Sequence, residues 1–259
     1  MNAAEGESLW LRAGGKRLEA RQWLPASARA PSVVLLHEGL GSVSLWRDFP
    51  ARLAEATGRG VLAYSRAGYG QSDPADLPRP LDYMRQEARD VLPDLLADLS
   101  DFVLIGHSDG ASIAAIYAGE VADDRLAGLV LIAPHFFTEA PGLASIEAAR
   151  EAWETTDLRA RLARHHADPD NAFRGWNDAW LDPDFRNWNI EAAIPGIRAP
   201  VLAVQGEDDQ YGTLAQLAAL KRGLRAPYSE VVIEECRHSP HVEQPGALLA
   251  AVARFIAGL

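Results

Sequence analysis

The chain has 259 residues, of which 48% are hydrophobic and 24% charged, ordinary globular proportions that exclude a disordered or collagenous class. Its 25 Lys and Arg against 36 Asp and Glu leave a net charge of −11, which opposes binding to a phosphate backbone. A single cysteine, Cys236, excludes an intramolecular disulfide and any zinc module built on several thiolates.

Met1–Glu7 has neither the basic nor the apolar region of a signal peptide, and no apolar run approaches the roughly 18–20 residues that span a bilayer. The expectation is a soluble cytoplasmic protein with no membrane span and no nucleic-acid partner. Ser8–Leu11 and Arg17–Leu24 flank Gly14-Gly15, a hairpin signal. Ser32–His37 is a buried-strand run, followed by helical spacing over Ser44–Thr57 and a strand at Val61–Tyr64. Tyr83–Leu99 reads as a helix kinked at Pro93, Phe102–His107 as a strand and Ala111–Gly119 as a helix. Leu129–Ala133, Val201–Val204 and Ser229–Ile233 complete the strands, and Gly246–Ala257 closes the chain as a helix. Strands alternating with helices predict a mainly parallel sheet covered on both faces.

One stretch breaks the rhythm. From His135 to Pro200 no strand is expected, Ser145–Arg164 reads as an amphipathic helix, and four of the seven tryptophans (Trp153, Trp176, Trp180 and Trp188) fall there. Its basic group, Arg159, Arg161 and Arg164, is flanked by Asp157 and Asp168, as on the solvated face of a helix. With no Gly/Ser linker on either side, 135–200 is read as a helical insertion in a core formed by 1–134 and 201–259.

The sharpest local signal is Gly106-His107-Ser108-Asp109-Gly110, between a strand and a helix. A serine on such a tight turn lifts its hydroxyl out of the sheet, and the flanking glycines avoid clashes with neighbouring backbone. The hydroxyl needs a base, and the base needs an orienting acid. Among seven histidines, His107 is expected to pack beside the sheet, His37 to be structural, His165 and His166 to lie on the surface of the insertion, and His135 to line a pocket. His238 and His241 share the loop after the last strand, where Pro240 prevents the helix that a two-histidine metal site would need; no metal is expected. Glu207, Asp208 and Asp209 follow the seventh strand and offer the acid, the two unused carboxylates capping the next helix or staying solvated.

With these motifs placed, the chain resembles an α/β-hydrolase-fold enzyme over essentially its whole length. The resemblance rests on Leu36-His37-Glu38-Gly39-Leu40-Gly41-Ser42, on Arg66-Ala67-Gly68-Tyr69-Gly70-Gln71-Ser72, on the turn at Ser108, and on the late Asp and His. It implies a mostly parallel eight-stranded sheet with helices on both faces and a helical cap over residues 135–200. It also implies a triad of Ser108, Asp209 and His238, chosen over Asp208 and His241 by the family's spacing. The oxyanion hole would use the backbone N–H of Asp109 and that of either Gly39 or Leu40. Where relatives read His-Gly, this chain has Glu38; a carboxylate facing an oxyanion would oppose it, so its side chain is expected to turn away, toward Arg66.

The resulting expectation is a serine hydrolase of carboxylic esters, thioesters or lactones, acting on a small-molecule acyl substrate without cofactor or metal. The same triad could instead cleave a carbon–carbon bond in a vinylogous diketone, or serve a receptor that binds without turnover. Trp176, Trp180 and His135 are the candidate pocket residues, the tryptophans being either cap core or a platform for an apolar acyl group.

Overall fold

The computed structural model describes residues 6–259; residues 1–5, read above as free of a signal peptide, lie outside the described residues. Among the described residues eight strands, β1 (Glu7–Ala13), β2 (Lys16–Trp23), β3 (Pro31–Leu36), β4 (Gly60–Tyr64), β5 (Phe102–His107), β6 (Leu126–Ile132), β7 (Val201–Gly206) and β8 (Tyr228–Ile233), form one sheet in the order β1-β2-β4-β3-β5-β6-β7-β8. β1–β2 and β2–β4 pair antiparallel, and every later pair is parallel.

The sheet is covered twice because its central strands are apolar on both sides. Val33 and Leu35 of β3, Val103 and Ile105 of β5, and Val130 and Ile132 of β6 pack in one layer with the helices Phe49–Thr57 and Pro245–Ala257. Val34 and Leu36, Leu104, and Leu129 and Leu131 point the other way, beneath the helix Asp109–Ile116 and the helical residues 83–95. Successive side chains of a strand face opposite sides, so a continuous apolar run needs a cover on each.

Several helices depart from their expected bounds for local reasons. The run over Ser44–Thr57 is a 3₁₀ turn, Val43–Trp46, and a separate helix, Phe49–Thr57, parted by Arg47 at φ +54°. Pro50 suits the first turn of the second piece, and the buried rings of Trp46 and Phe49 stack across the break. At Pro93 the kink takes the form of a wide π-type turn over Glu87–Val91, because proline lacks the N–H that an α-helical register would require. Ser145–Arg164 divides into Ala140–Thr155 and Leu158–Leu162. There the Thr156 hydroxyl donates to the Ala152 carbonyl and accepts from the Leu158 N–H, competing with the helix for backbone partners.

Between β6 and β7 the described residues hold helices, including Pro169–Leu181, and one isolated bridge, Phe137 to Asn189. The apolar faces of these helices, with Ile146, Phe173, Trp176, Trp180 and Phe185, join the same hydrophobic layer as the helix Asp109–Ile116. No helix of the described residues is long and apolar enough to cross a membrane.

Candidate functional site

The parallel strands β3, β5, β6, β7 and β8 end at the same edge, and the loops beyond them carry Gly39 and Leu40, Ser108, His135, Asp209 and His238 respectively. Open α/β sheets bind ligands in the crevice beyond these carboxyl ends. Here a cavity of about 180 Å³ is lined by Glu38, Gly39, Leu40, Ser108, Asp109, His135, Ile146, Trp176, Trp180, Tyr211, His238 and Ser239. Ser108, Asp109, Gly39, Leu40, His135, Trp176, Trp180 and His238 therefore border one space, and Asp209 meets His238 from outside that lining.

Ser108 stands at φ +54° and ψ −119° between β5 and the helix Asp109–Ile116. A Cβ on Gly106 would overlap the Gly110 carbonyl, and one on Gly110 would overlap that of Leu36. The two glycines thus let the helix start close against the sheet. Asp109 is the first residue of that helix, so its N–H has no acceptor within the helix. Among the described residues the Ser108 hydroxyl makes no hydrogen bond to His238, and Ser108 borders the cavity.

His238 Nδ1 lies 2.9 Å from each carboxylate oxygen of Asp209. The carboxylate also accepts from Gln205 Nε2 (2.7 Å) and from the N–H groups of Tyr211 (2.8 Å) and Gly212 (3.3 Å). Burial pushes the Asp209 carboxyl up, but the His238 ring and the Tyr211 N–H outweigh it and hold the carboxyl below its ordinary value. An anion fixed this way assigns the Nδ1 hydrogen to the shared side and leaves Nε2 free. Glu207 and Asp208 are exposed and cap no helix; the next helix begins at Ala215. Gln205 escaped the sequence reading, although a lone amide in the apolar run Val201–Gly206 was a visible signal.

Asp109 also carries a buried side chain. Its carboxylate accepts from Tyr83 Oη (2.5 Å) and Trp180 Nε1 (3.2 Å), with the Arg66 guanidinium at 3.8 Å. Burial pushes this carboxyl up, against Arg66 and the Tyr83 hydroxyl. Trp180 is thus both cavity wall and hydrogen-bond donor, and its indole meets the edge of the His135 ring. Burial, with the nearby His238, lowers His135 to about 3, so the ring is neutral.

Two expectations are corrected. Glu38 does not reach Arg66: the Arg66 guanidinium donates to the main-chain carbonyls of His37 and Glu38, and the Glu38 carboxylate turns instead toward His107 Nδ1, 3.4 Å away. His166 is not on the surface but 2% exposed, accepting from the Gly70 N–H and donating to the Leu40 carbonyl. In both cases the partner lies far away in sequence. His37 is structural, accepting from the Arg66 N–H through Nε2, and His107 is fully buried beside the sheet. No group of three or more His, Cys, Asp or Glu among the described residues is placed to hold a metal ion.

Residues 33–252 match the model of the alpha/beta hydrolase family. A non-heme chloroperoxidase of Kitasatospora aureofaciens is 33% identical over 100 residues, 39% of this chain and 35% of that protein. An sn-1-specific diacylglycerol lipase of Mus musculus is 31% identical over 133 residues, 51% of this chain and 42% of that protein. The chain thus spans less than half the length of these curated relatives. Among solved structures, a proline iminopeptidase of Mycobacterium smegmatis shares the fold with a TM-score of 0.79 at 19% identity, covering 97% of this chain and 98% of the other.

Proposed function

The chain belongs to the alpha/beta hydrolase family, and on that premise we propose that it is a serine hydrolase cleaving a carboxylic ester, thioester or lactone through an acyl-enzyme on Ser108. The observation that carries this reading is the meeting, at one cavity, of Ser108 on its left-handed turn and the paired His238 and Asp209.

In the proposed mechanism His238 Nε2 takes the Ser108 proton as Oγ attacks the carbonyl carbon. Asp209 holds the ring in the required tautomer and stabilises the imidazolium. The oxyanion accepts from the N–H of Asp109 and from that of Gly39 or Leu40, each donor contributing about 3 kcal/mol to the transition state. The tetrahedral intermediate expels the alcohol, thiol or ring oxygen, which leaves with the proton from His238. Water, activated by the same ring, then frees the acid.

Residues 135–200 act in this reading as a cap that sets substrate size. The cavity is smaller than the roughly 300–1,000 Å³ of drug-sized sites, and Leu40, Ile146, Trp176, Trp180 and Tyr211 supply an apolar wall with no Lys or Arg in it. Both features favour a small, uncharged acyl group. Trp176 lies against Gly39, whereas Trp180 is tied to Asp109 and Tyr83, so Trp176 is the cleaner probe of size. Trp176→Ala is expected to shift the acyl-length optimum toward longer esters while leaving Ser108 reactive. An unchanged profile with a loss of about 3–5 kcal/mol of stability would make Trp176 a packing residue only.

The test of the function is labelling by a fluorophosphonate, followed by kinetics on p-nitrophenyl esters of increasing acyl length. Stoichiometric modification at Ser108 and turnover of the short esters are expected. Labelling without ester turnover, together with cleavage of a ring-fission dienoate, would replace the ester reading by carbon–carbon hydrolysis.

A further inference from the structure

Glu38 borders the cavity, yet the proposed mechanism gives its carboxylate no task. Its surroundings assign one. His107, the residue before Ser108, is fully buried. Its Nε2 lies 2.7 Å from the main-chain oxygen of His238, and a carbonyl only accepts, so Nε2 carries a hydrogen. Its Nδ1 has no aligned hydrogen-bond partner and faces Glu38 Oε2 at 3.4 Å, an ion-pair distance. If His107 were neutral, an Nδ1 lone pair would be buried against a carboxylate. One proton must therefore lie between the two groups. Gly41 allows the turn, since a Cβ there would overlap the Glu38 carboxylate.

We infer that Glu38 and His107 hold one proton between them, and that this pair is a positioning device joining the loop after β3, the Ser108 turn and the loop of His238. The inference rests on reading Ser108 and His238 as nucleophile and base. Glu38 adjoins Gly39 and Leu40, the candidate oxyanion donors; His107 adjoins Ser108; and the accepting carbonyl belongs to His238 itself. Three loops that must keep their mutual distance are thus linked through one imidazolium.

The other charged or titratable groups around the pair do not replace either member. Arg66 is engaged with the carbonyls of His37 and Glu38 and with Asp109. His37, His166 and His241 act on Glu38, and Arg47 on His241; the rings of His238 and His241 pack on His107 with centroids 5.1 and 5.2 Å away, and His135 and Asp209 also lie within its electrostatic reach. Burial lowers His37 and takes His166 and His241 down to about 4. Only for His107 is burial outweighed, by the Glu38 carboxylate, so that it rises above 6.5. Glu38 itself is held below its ordinary 4.5, His107 overcoming the effect of burial. A raised histidine stabilises the fold fully below its unfolded value and loses that contribution as pH rises through its folded value. A lowered carboxylate contributes fully above its unfolded value, so the pair fails first on the alkaline side.

The decisive comparison is Glu38→Ala with Glu38→Gln. The glutamine amide N–H can donate to Nδ1 of a neutral His107, keeping the link without the shared proton. Glu38→Ala is expected to lower kcat/KM by about 10- to 100-fold, the cost of a misplacement on the order of 1 Å. Glu38→Gln should restore most of that loss. The wild type should show an alkaline fall in kcat/KM as His107 loses its proton, and Glu38→Gln should not. Histidine-ring NMR, with His107 assigned by its absence in His107→Asn, should place its titration above 6.5 in the wild type and lower in Glu38→Gln. The same alkaline limb in both proteins overturns the positioning role. A wild-type His107 titrating at or below 6.5 overturns the shared proton. If Glu38→Ala fails to fold, the Glu38→Gln profile and ring titration still decide. A wild type that neither labels nor turns over esters overturns the serine reading and the positioning role with it, while the ring titration separately supports or overturns the shared proton.

Discussion

Ser108→Ala and His238→Ala are each expected to lower ester turnover by on the order of 10⁴–10⁶, and the double variant to be little worse than either alone. The two side chains border the same cavity from different loops, and in the proposed mechanism each is idle without the other. A hydroxyl with no base is a poor nucleophile; a base with no hydroxyl has only water to activate. Losses that multiply in the double variant would mean that the residues act independently and would remove the acyl-enzyme. His241→Ala is the control. Its ring packs against those of Trp46 and His107 and does not border the cavity, so turnover should largely persist.

Asp209→Asn is expected to cut turnover by about 10³–10⁴, through loss of control over the His238 tautomer. The amide would offer N–H where the ring Nδ1–H now finds an acceptor, and the ring would gain from turning its hydrogen toward Ser108. The Tyr211 and Gly212 N–H groups and the Gln205 amide already surround the carboxylate, so the substituted side chain has little freedom to turn and compensate. Asp208→Asn, on an exposed side chain, should cost far less. The measurement is kcat on one ester for both variants, with far-UV dichroism to show that both are folded. A reversed ranking would make Asp208 the acid.

The layered sheet was legible because its information is local. Val33–Leu36, Phe102–Ile105 and Leu129–Ile132 are apolar at every position, and only a strand covered on both faces accepts such a run. Gly106, Ser108 and Gly110 were legible for the same reason: the turn needs those residue types at that spacing, whatever surrounds it. What escaped was pairing across the chain. Nothing near Glu38 in sequence indicates His107, and nothing near Asp109 indicates Tyr83 or Trp180; those contacts exist only after β3, β5 and the segment after β6 have packed. His166 follows the same rule, since a histidine among arginines and alanines reads as surface until Gly70 and Leu40 arrive to satisfy its ring. Helix ends were misjudged where one side chain competed with the backbone, as at Thr156.

The backbone at Ser108 has a consequence for evolution under mutation. At φ +54° and ψ −119° a residue with a Cβ is strained, typically by about 1–3 kcal/mol, in a protein class whose whole stability is about 5–15 kcal/mol. Glycine would relieve most of that strain, so selection for thermal endurance alone would drift this position toward glycine and discard the hydroxyl. Stability and serine pull in opposite directions at this one codon. Mutations elsewhere in the two hydrophobic layers are tolerable only while the remaining margin covers the strained turn.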